Sequence, residues 1–171
     1  PPRSTLFPYT TLFRSNRLAL AKHPEIAIQA INQLDLNLKV VGDGSMLKDL
    51  KDIAGNKIEF LGAVSDQQLI ELYKNAKALV YPVEDEDFGM VPIEAMTFGT
   101  PVIAHYSGGP KETIIEGETG IFFQDLNTKG LIQAISNFEN NFVGDALKIH
   151  RSTDKYSKMA FVTKLKFLLD I

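Results

Sequence analysis

Two glutamates, Glu86 and Glu94, stand eight positions apart in the segment EDEDFGMVPIEAM, residues 84–96. The apolar run before it, residues 78–83, predicts a short buried strand, and residues 91–98 have the composition of a helix. A carboxylate accepts two hydrogen bonds at once, which suits the paired hydroxyl groups of a sugar or of a ribose. The sequence therefore predicts a loop that leads from a strand tip into a helix start, with one acceptor carboxylate on each side.

The start of this predicted helix is also a candidate anion site. The first backbone N–H groups of a helix have no acceptor within it, and the helix dipole favours negative charge there. We expect Gly89, Met90 and Val91 to present N–H groups to a phosphate, with Phe88 beside them and Gly89 allowing close approach. An exposed acidic loop, followed by a glutamate that only complements the dipole, is the competing interpretation.

The residues that follow favour the first interpretation. EDEDFGMVPIEAM, then TFGTPVIAHYSGGPKE and EGETGIFF, resembles the donor-binding half of family 4 glycosyltransferases, which have the GT-B fold. The resemblance implies that Glu86 orients the transferred sugar and that Glu94 holds the ribose of a nucleoside diphosphate sugar. The DFG variant is similar to mannosyltransferase-like members. The resemblance covers residues 16–171, roughly half of a two-domain enzyme, so an N-terminal acceptor domain would be missing.

Two basic residues, Arg17 and Lys22, occur in the run NRLALAK. Their spacing resembles that of the arginine and lysine that contact the donor's diphosphate in the same family. Phosphates beside Glu86 and Glu94 would be repelled without fixed cations across the pocket, and the leaving diphosphate gains charge as the glycosidic bond breaks. A pair of solvated cations at a helix start is the alternative.

Gly42 and Gly44 follow an apolar strand in the sequence GDG. The resemblance implies that this loop lines the donor site, whereas a simple tight turn explains it equally well. A dinucleotide fingerprint is a weaker interpretation, because Leu47 stands where the third glycine belongs and Glu59 lies inside a strand pattern.

Neither a metal nor a cofactor is expected. The acidic run at residues 84–87 could hold a hard cation across a diphosphate, but the resemblance implies a helix start and basic residues in place of a metal. Glycine-rich residues 107–109 could offer further backbone donors to the sugar. His105, at a strand end without an adjacent nucleophile, is expected to be structural.

Residues 1–15, PPRSTLFPYTTLFRS, do not resemble the family and are similar to an in-frame translation of a sequencing adapter. We therefore predict a foreign, adapter-like segment over residues 1–15 and a donor-binding domain over residues 16–171. The domain's first strand should end just before Asn16, inside the foreign segment. Residues 10–13 are β-prone and could fill an edge or central position in the sheet.

Strand and helix patterns alternate along the chain, which predicts an α/β fold: a Rossmann-like parallel sheet with helices on both faces, followed by a helical C-terminal tail. Helices are expected near residues 24–34, 46–54, 65–75 and 91–98, and strands near residues 36–41, 57–61, 78–81, 101–104 and 120–123. In the tail, four apolar side chains are expected to pack back on the sheet: Tyr156, Phe161, Leu165 and Leu168.

Composition excludes several classes of protein. A net charge of -3 argues against a nucleic-acid surface, which concentrates positive charge. The chain has no cysteine, so a disulfide framework is excluded. No apolar run approaches the length of a membrane span. We expect a cytoplasmic protein, with peripheral contact at the inner face of the membrane available through Lys158, Lys164 and Lys166 of the tail.

The sequence thus predicts the donor-binding domain of a retaining glycosyltransferase, with a nucleoside diphosphate sugar, GDP-mannose among the candidates, as its ligand. Two alternatives stay open: a nucleotide-sugar-binding module without catalysis, and a fragment of an epimerase that shares the GT-B fold.

Overall fold

The computed structural model describes residues 11–169, with side chains through residue 166. In this part of the chain, parallel strands form one six-stranded sheet in the order β3-β2-β1-β4-β5-β6. The strands are β1 (Thr11–Ser15), β2 (Asn37–Val41), β3 (Ile58–Gly62), β4 (Leu79–Tyr81), β5 (Val102–His105) and β6 (Gly120–Phe123).

Helices cover both faces of the sheet, which confirms the predicted α/β class. They are α1 (Pro24–Leu34), α2 (Leu47–Ile53), α3 (Asp66–Asn75), α4 (Met90–Thr97), α5 (Pro110–Thr113), α6 (Thr128–Asn141), α7 (Ala146–Arg151) and α8 (Lys158–Leu169). Short 3-10 helices occupy Leu20–Lys22 and Asp154–Tyr156. One apolar core lies under α1, α2 and α6, and a second lies under α3, α4 and α7.

Local sequence signals explain where two of these helices begin. Helix α1 begins with Pro24 at its first position, where the missing N–H costs nothing. Helix α3 begins with a capping box, in which the Ser65 hydroxyl accepts from the Gln68 N–H and the Gln68 side chain accepts from the Ser65 N–H. These contacts satisfy two of the helix's free donors.

Strand β1 is the centre of the sheet. It pairs with β2 along its whole length, and Phe13 is registered against Leu79 of β4. Leu12 is buried in one core and Phe13 in the other, as strand alternation requires. Residues 11–15 of the adapter-like segment therefore fill the central position. Residues 1–10 lie outside the described part of the chain, and the foreign origin of the segment stays a prediction.

The strand order reverses between β1 and β4. In open α/β sheets this switch point leaves a crevice beyond the carboxyl ends of the two strands, because the connections from neighbouring strands leave toward opposite faces. Here the crevice lies between residues 16–23, which follow β1, and residues 82–89, which follow β4.

The C-terminal tail differs from the expectation. Tyr156 packs against the second core, but the side chains of Phe161 and Leu165 are 65% and 42% exposed. Helix α8 follows the second 3-10 helix and packs mainly against it. The prediction that Phe161 and Leu165 pack on the sheet is therefore wrong, because α7 and the second 3-10 helix already occupy that side. The side chain of Leu168 lies outside the described part.

Arg14 is the one charged residue in β1, and it is fully buried. Its Nη2 donates to the backbone oxygen of Lys22 at 2.8 Å, while Nε and Nη1 have no partner among the described residues. Burial lowers the pKa of Arg14 to about 10, and electrostatic interactions with Tyr81 and then Glu25 offset this effect only in part. The Arg14 side chain is therefore a cation at neutral pH, and its neighbours among the described residues offset the cost of burying its charge only in part.

We expect Arg14→Met to raise the free energy of unfolding. The lowering of the pKa from 12.5 to about 10 corresponds to a cost of about 3 kcal/mol for the buried charge. Loss of the hydrogen bond to Lys22 removes about 1 kcal/mol, so a net gain of about 1–2 kcal/mol is expected in urea titration.

The same titration should show this gain at every pH below about 10, since the folded-state pKa is the lower one and the cost disappears only as pH rises through it. Arg151→Met, at an exposed position, is the matched control and should change stability by less than about 0.5 kcal/mol. A destabilised Arg14→Met variant would contradict the argument.

Candidate functional site

Lys22 and Glu86 meet across the switch-point crevice. Lys22 ends the first 3-10 helix after β1, and its Nζ donates to Glu86 Oε2 at 2.6 Å. The two side chains are 29% and 24% exposed, so the pair is partly shielded from water. The backbone of Lys22 is held as well, because its carbonyl accepts from Arg14. The predicted cation thus faces the predicted carboxylate, while the role of the pair toward a diphosphate stays a prediction.

Tyr81 gives Glu86 a second donor. Tyr81 is the last residue of β4, and its hydroxyl donates to Glu86 Oε2 at 3.0 Å. The hydrogen bond from Lys22, and more weakly that from Tyr81, hold the pKa of Glu86 below its usual range against the opposing effect of burial. Burial, followed by the charge of Glu86, raises the pKa of Tyr81. Glu86 is therefore an anion, and Tyr81 remains a protonated donor.

Glu94 has a corresponding arrangement. It lies in the second turn of α4, and its Oε2 accepts from the hydroxyl of Tyr73 in α3 at 2.9 Å. Burial, and then the charge of Glu94 and the hydrogen bond to it, raise the pKa of Tyr73. Each predicted glutamate therefore has one oxygen held by a buried tyrosine. Oε1 of both glutamates has no partner in the described part of the chain and is open to solvent.

The start of α4 has the expected form. Gly89 is its N-cap residue with φ of 79°, a conformation that L side chains rarely adopt. The first bond into the helix runs from the Ile93 N–H to the Gly89 carbonyl. The N–H groups of Met90 and Val91 precede it and have no acceptor in the described part of the chain. They are the free donors of a helix start, as predicted.

The glycine-rich loop after β5 packs against the acidic loop. The Gly109 N–H donates to the Glu86 carbonyl at 2.7 Å, and a Cβ at Gly108 would lie 2.3 Å from the same oxygen. The Ser107 hydroxyl accepts from the Asp85 N–H. The expectation that these glycines offer donors to a sugar is therefore corrected for Gly109, because its N–H already has a partner that fixes the backbone of Glu86.

Gly42 and Gly44 let two loops come together. A Cβ at Gly42 would lie 2.1 Å from the Asn16 carbonyl oxygen, and one at Gly44 would lie 2.2 Å from that of Leu18. The Leu18 N–H donates to the Asp43 carbonyl. These glycines thus hold the segment that carries the basic residues. Their predicted role in lining the donor site stays a prediction.

Arg17 and Phe88 form no hydrogen bond or ion pair with either glutamate in the described part of the chain. Arg17 is exposed, and its guanidinium has no hydrogen-bond or ion-pair partner in the described part of the chain. The ring of Phe88 is 45% exposed and meets Tyr156 edge-on, with 5.7 Å between the ring centroids. Contact with Glu86 or Glu94 is thus observed for Lys22 but not for these two residues.

His105 is structural, as expected. It is buried, its Nε2 lies 3.0 Å from the Gln124 carbonyl oxygen, and its ring packs against Phe123. In residues 11–169 no cluster of three or more His, Asp or Glu side chains could hold a metal ion. Within the same residues, no helix has both the length and the apolar character needed to cross a membrane.

Sequence reasoning missed three residues that shape the site: Tyr73, Tyr81 and Arg14. Tyr73 and Tyr81 occupy apolar patterns and resemble ordinary core residues. A hydroxyl at the end of a strand that leads into an acidic loop was the available signal for Tyr81. Arg14 lies within the adapter-like segment, which carries no sequence signal of a role in the site.

The strand order and the crevice define the class of this protein as a Rossmann-like α/β domain. Comparison with known families makes the assignment more specific, because the model of the family "Glycosyl transferases group 1" matches residues 8–158. The chain belongs to this family.

Three similar proteins show how far the likeness extends. The alpha-1,3/1,6-mannosyltransferase alg-2 of Neurospora crassa is 39% identical over 94 residues, which cover 55% of this chain and 20% of that protein. A GDP-mannose-dependent alpha-mannosyltransferase of Corynebacterium glutamicum is 31% identical over 122 residues, 71% of this chain and 29% of that protein. The structure of Anabaena HepE in complex with UDP-glucose superposes with a TM-score of 0.78 at 23% identity.

The superposition with HepE covers 94% of this chain and 48% of HepE, and at that identity it supports the fold alone. The chain spans less than half the length of each of these three proteins. The comparisons therefore establish the family and the fold of one domain of a GT-B-type structure.

We expect Lys22→Met to raise the pKa of Glu86, because the variant removes the hydrogen bond that lowers it most. A lowered folded-state pKa stabilises the protein above the unfolded-state pKa, and this contribution is lost as pH falls through the folded-state value. The variant should therefore lose less stability than the wild type on acidification. The carboxyl ¹³C shift of Glu86 during an NMR pH titration reports the change directly.

Lys48→Met, at an exposed helix position without a side-chain partner in the described residues, is the control and should leave the Glu86 titration unchanged. Equal Glu86 titration curves for the wild type and Lys22→Met would show that the ion pair does not form in solution.

Proposed function

We propose that this chain is the donor-binding half of a retaining glycosyltransferase, with GDP-mannose as the foremost candidate donor. The sugar would pass from the nucleoside diphosphate to an acceptor hydroxyl in the full enzyme. The observation that carries the proposal is the pairing of Glu86 with Lys22 across the crevice, beside the open start of α4.

In this proposal the diphosphate lies at the start of α4. The N–H groups of Met90 and Val91 and the dipole of α4 attract its oxygens. Lys22 and Arg17 provide positive charge that stabilises the leaving diphosphate as the bond from the anomeric carbon to the phosphate oxygen breaks. Because Lys22 is already paired with Glu86, the ammonium must be shared between the carboxylate and the phosphate when the donor binds.

The two glutamates have different roles in the proposal. Glu86 orients the hydroxyls of the transferred sugar, and Glu94 accepts from the ribose hydroxyls. Attack comes from the acceptor hydroxyl on the face that the diphosphate leaves, and its proton passes to a phosphate oxygen of the leaving group. No side chain of this chain is needed as a nucleophile. The acceptor site would belong to an N-terminal domain outside this chain.

The choice of GDP-mannose follows from the relatives. Both sequence relatives described above are named mannosyltransferases, and one is named as dependent on GDP-mannose. The HepE structure contains UDP-glucose, but its lower identity makes it a weaker guide to the base and the sugar. UDP-glucose is therefore the competing donor for a test.

We also propose that donor binding needs no metal. Lys22 and the start of α4 supply the positive charge that a divalent ion would otherwise bring to the diphosphate.

The experiment is calorimetric titration of the 171-residue chain with GDP-mannose, UDP-glucose, GDP and UDP, first with EDTA and then with Mg²⁺. We expect saturable binding of the guanine nucleotides in EDTA, with no gain from Mg²⁺. Glu94→Gln should weaken binding about 10-fold to 100-fold, since a hydrogen bond to a charged group contributes about 1.5–3 kcal/mol.

Glu118→Gln is the matched control. Glu118 is an exposed carboxylate in the turn before β6, so its neutralisation should leave nucleotide affinity unchanged. Tighter binding of UDP-glucose than of GDP-mannose would overturn the choice of donor, a strict need for Mg²⁺ would overturn the metal-free site, and no binding to any nucleotide by the folded chain would overturn the donor-binding function.

A further inference from the structure

The hydroxyl of Tyr73 is the sole donor to Glu94 within the described residues. It reaches Oε2 at 2.9 Å from the neighbouring helix α3, twenty-one positions away in the chain. Oε1 of the same carboxylate has no partner in that part of the chain and is open to solvent. The Glu94 carboxylate thus has one oxygen that is hydrogen-bonded to the protein and one oxygen that can accept from another donor.

Tyr73 is itself rigidly held. Its ring lies edge-on to Phe13 of β1, with 5.1 Å between centroids and 89° between the planes, and stacks on Phe98 at 5.9 Å and 11°. The Thr100 hydroxyl donates to the Tyr73 carbonyl. The residue is 1% exposed. Phe13 and Phe98 hold the ring, and Thr100 holds the backbone carbonyl, so the Tyr73 hydroxyl has little freedom to move. Glu94 must therefore adopt the orientation in which its Oε2 meets this hydroxyl.

We propose that Tyr73 is a positioning residue for the nucleotide site, which acts by orienting the Glu94 carboxylate toward the ribose hydroxyls. This inference rests on the proposed donor-binding function. Tyr73 does not touch the nucleotide. Its hydroxyl selects one orientation of the carboxylate before the ligand arrives, so that Oε1 faces the incoming hydroxyl groups.

The physical reason is side-chain freedom. A glutamate on a helix surface samples several rotamers, and binding must immobilise it. When Tyr73 has already fixed the carboxylate, this entropy is lost during folding, and its loss does not weaken nucleotide binding. The hydroxyl also donates to a charged acceptor, which is among the stronger hydrogen bonds in proteins. The effect should therefore appear only with ligands that bind through Glu94.

A purely structural role for Tyr73 makes a different prediction. If the hydroxyl only stabilises packing between α3 and α4, its removal would lower stability and affect all nucleotides alike, whether or not they have ribose hydroxyls. The two roles are separated by a nucleotide that lacks the hydroxyls, because such a ligand cannot use Glu94 in either protein.

The experiment measures GDP and 2′,3′-dideoxy-GDP binding to the wild type and to Tyr73→Phe, which keeps the buried ring. We expect Tyr73→Phe to bind GDP about threefold to tenfold more weakly and to bind dideoxy-GDP as the wild type does. In a Glu94→Gln background, the same Tyr73→Phe change should have less than a twofold effect on GDP.

Tyr106→Phe is the matched control, because it removes a tyrosine hydroxyl from a half-exposed position without a hydrogen-bond partner in the described residues. It should leave the affinity for both nucleotides unchanged. Urea titration of Tyr73→Phe confirms that the variant is folded at the temperature of the binding measurement.

Equal weakening of GDP and dideoxy-GDP by Tyr73→Phe would overturn the positioning role and assign Tyr73 to packing alone. An unchanged affinity for GDP would overturn it as well. These outcomes differ from a failure of the proposed function, in which the wild-type chain itself binds neither nucleotide and the inference falls with it.

Discussion

The structure depends on the pairing of β1 between β2 and β4. This strand joins the two halves of the sheet, and Leu12 and Phe13 supply one buried side chain to each core. The reversal of strand order beside it creates the crevice, so the strand that completes the sheet also positions the site. Its last residues connect directly to the segment that carries Lys22. Disruption of this strand pairing would therefore have two effects at once. It would disturb the packing of the second core, and it would move Lys22 away from the acidic loop.

Charge compensation is the second organising constraint. Lys22 neutralises the charge of Glu86, and the Tyr81 hydroxyl donates a further hydrogen bond to the same carboxylate oxygen. Glu94 accepts a hydrogen bond from the Tyr73 hydroxyl, which is a neutral donor. In both cases a buried hydroxyl occupies Oε2 and leaves Oε1 open. Each glutamate is thus held through one oxygen, while the other oxygen stays accessible to solvent.

Close backbone contacts explain why glycine occupies several positions in the loops of the site. Gly42 and Gly44 approach the carbonyls of residues 16–18, and Gly108 approaches the carbonyl of Glu86. Each contact joins two loops that follow different strands. The loops of the site are therefore held by one another as well as by the sheet, and the orientation of Glu86 depends on the loop after β5 through the Gly109 N–H.

The sequence by itself determined the α/β class, the bounds of most elements to within a residue or two, and the residues at the start of α4, because hydrophobic period, caps and turn residues act locally. It also indicated Lys22 and Glu86 as opposite charges of one site. Only the tertiary structure decided that Tyr73 and Tyr81 hold the two glutamates, that the adapter-like strand is central, and that α8 leaves Phe161 and Leu165 exposed. These features join residues far apart in the chain, and a side chain in an apolar pattern does not reveal where its single polar atom points until neighbouring elements are packed.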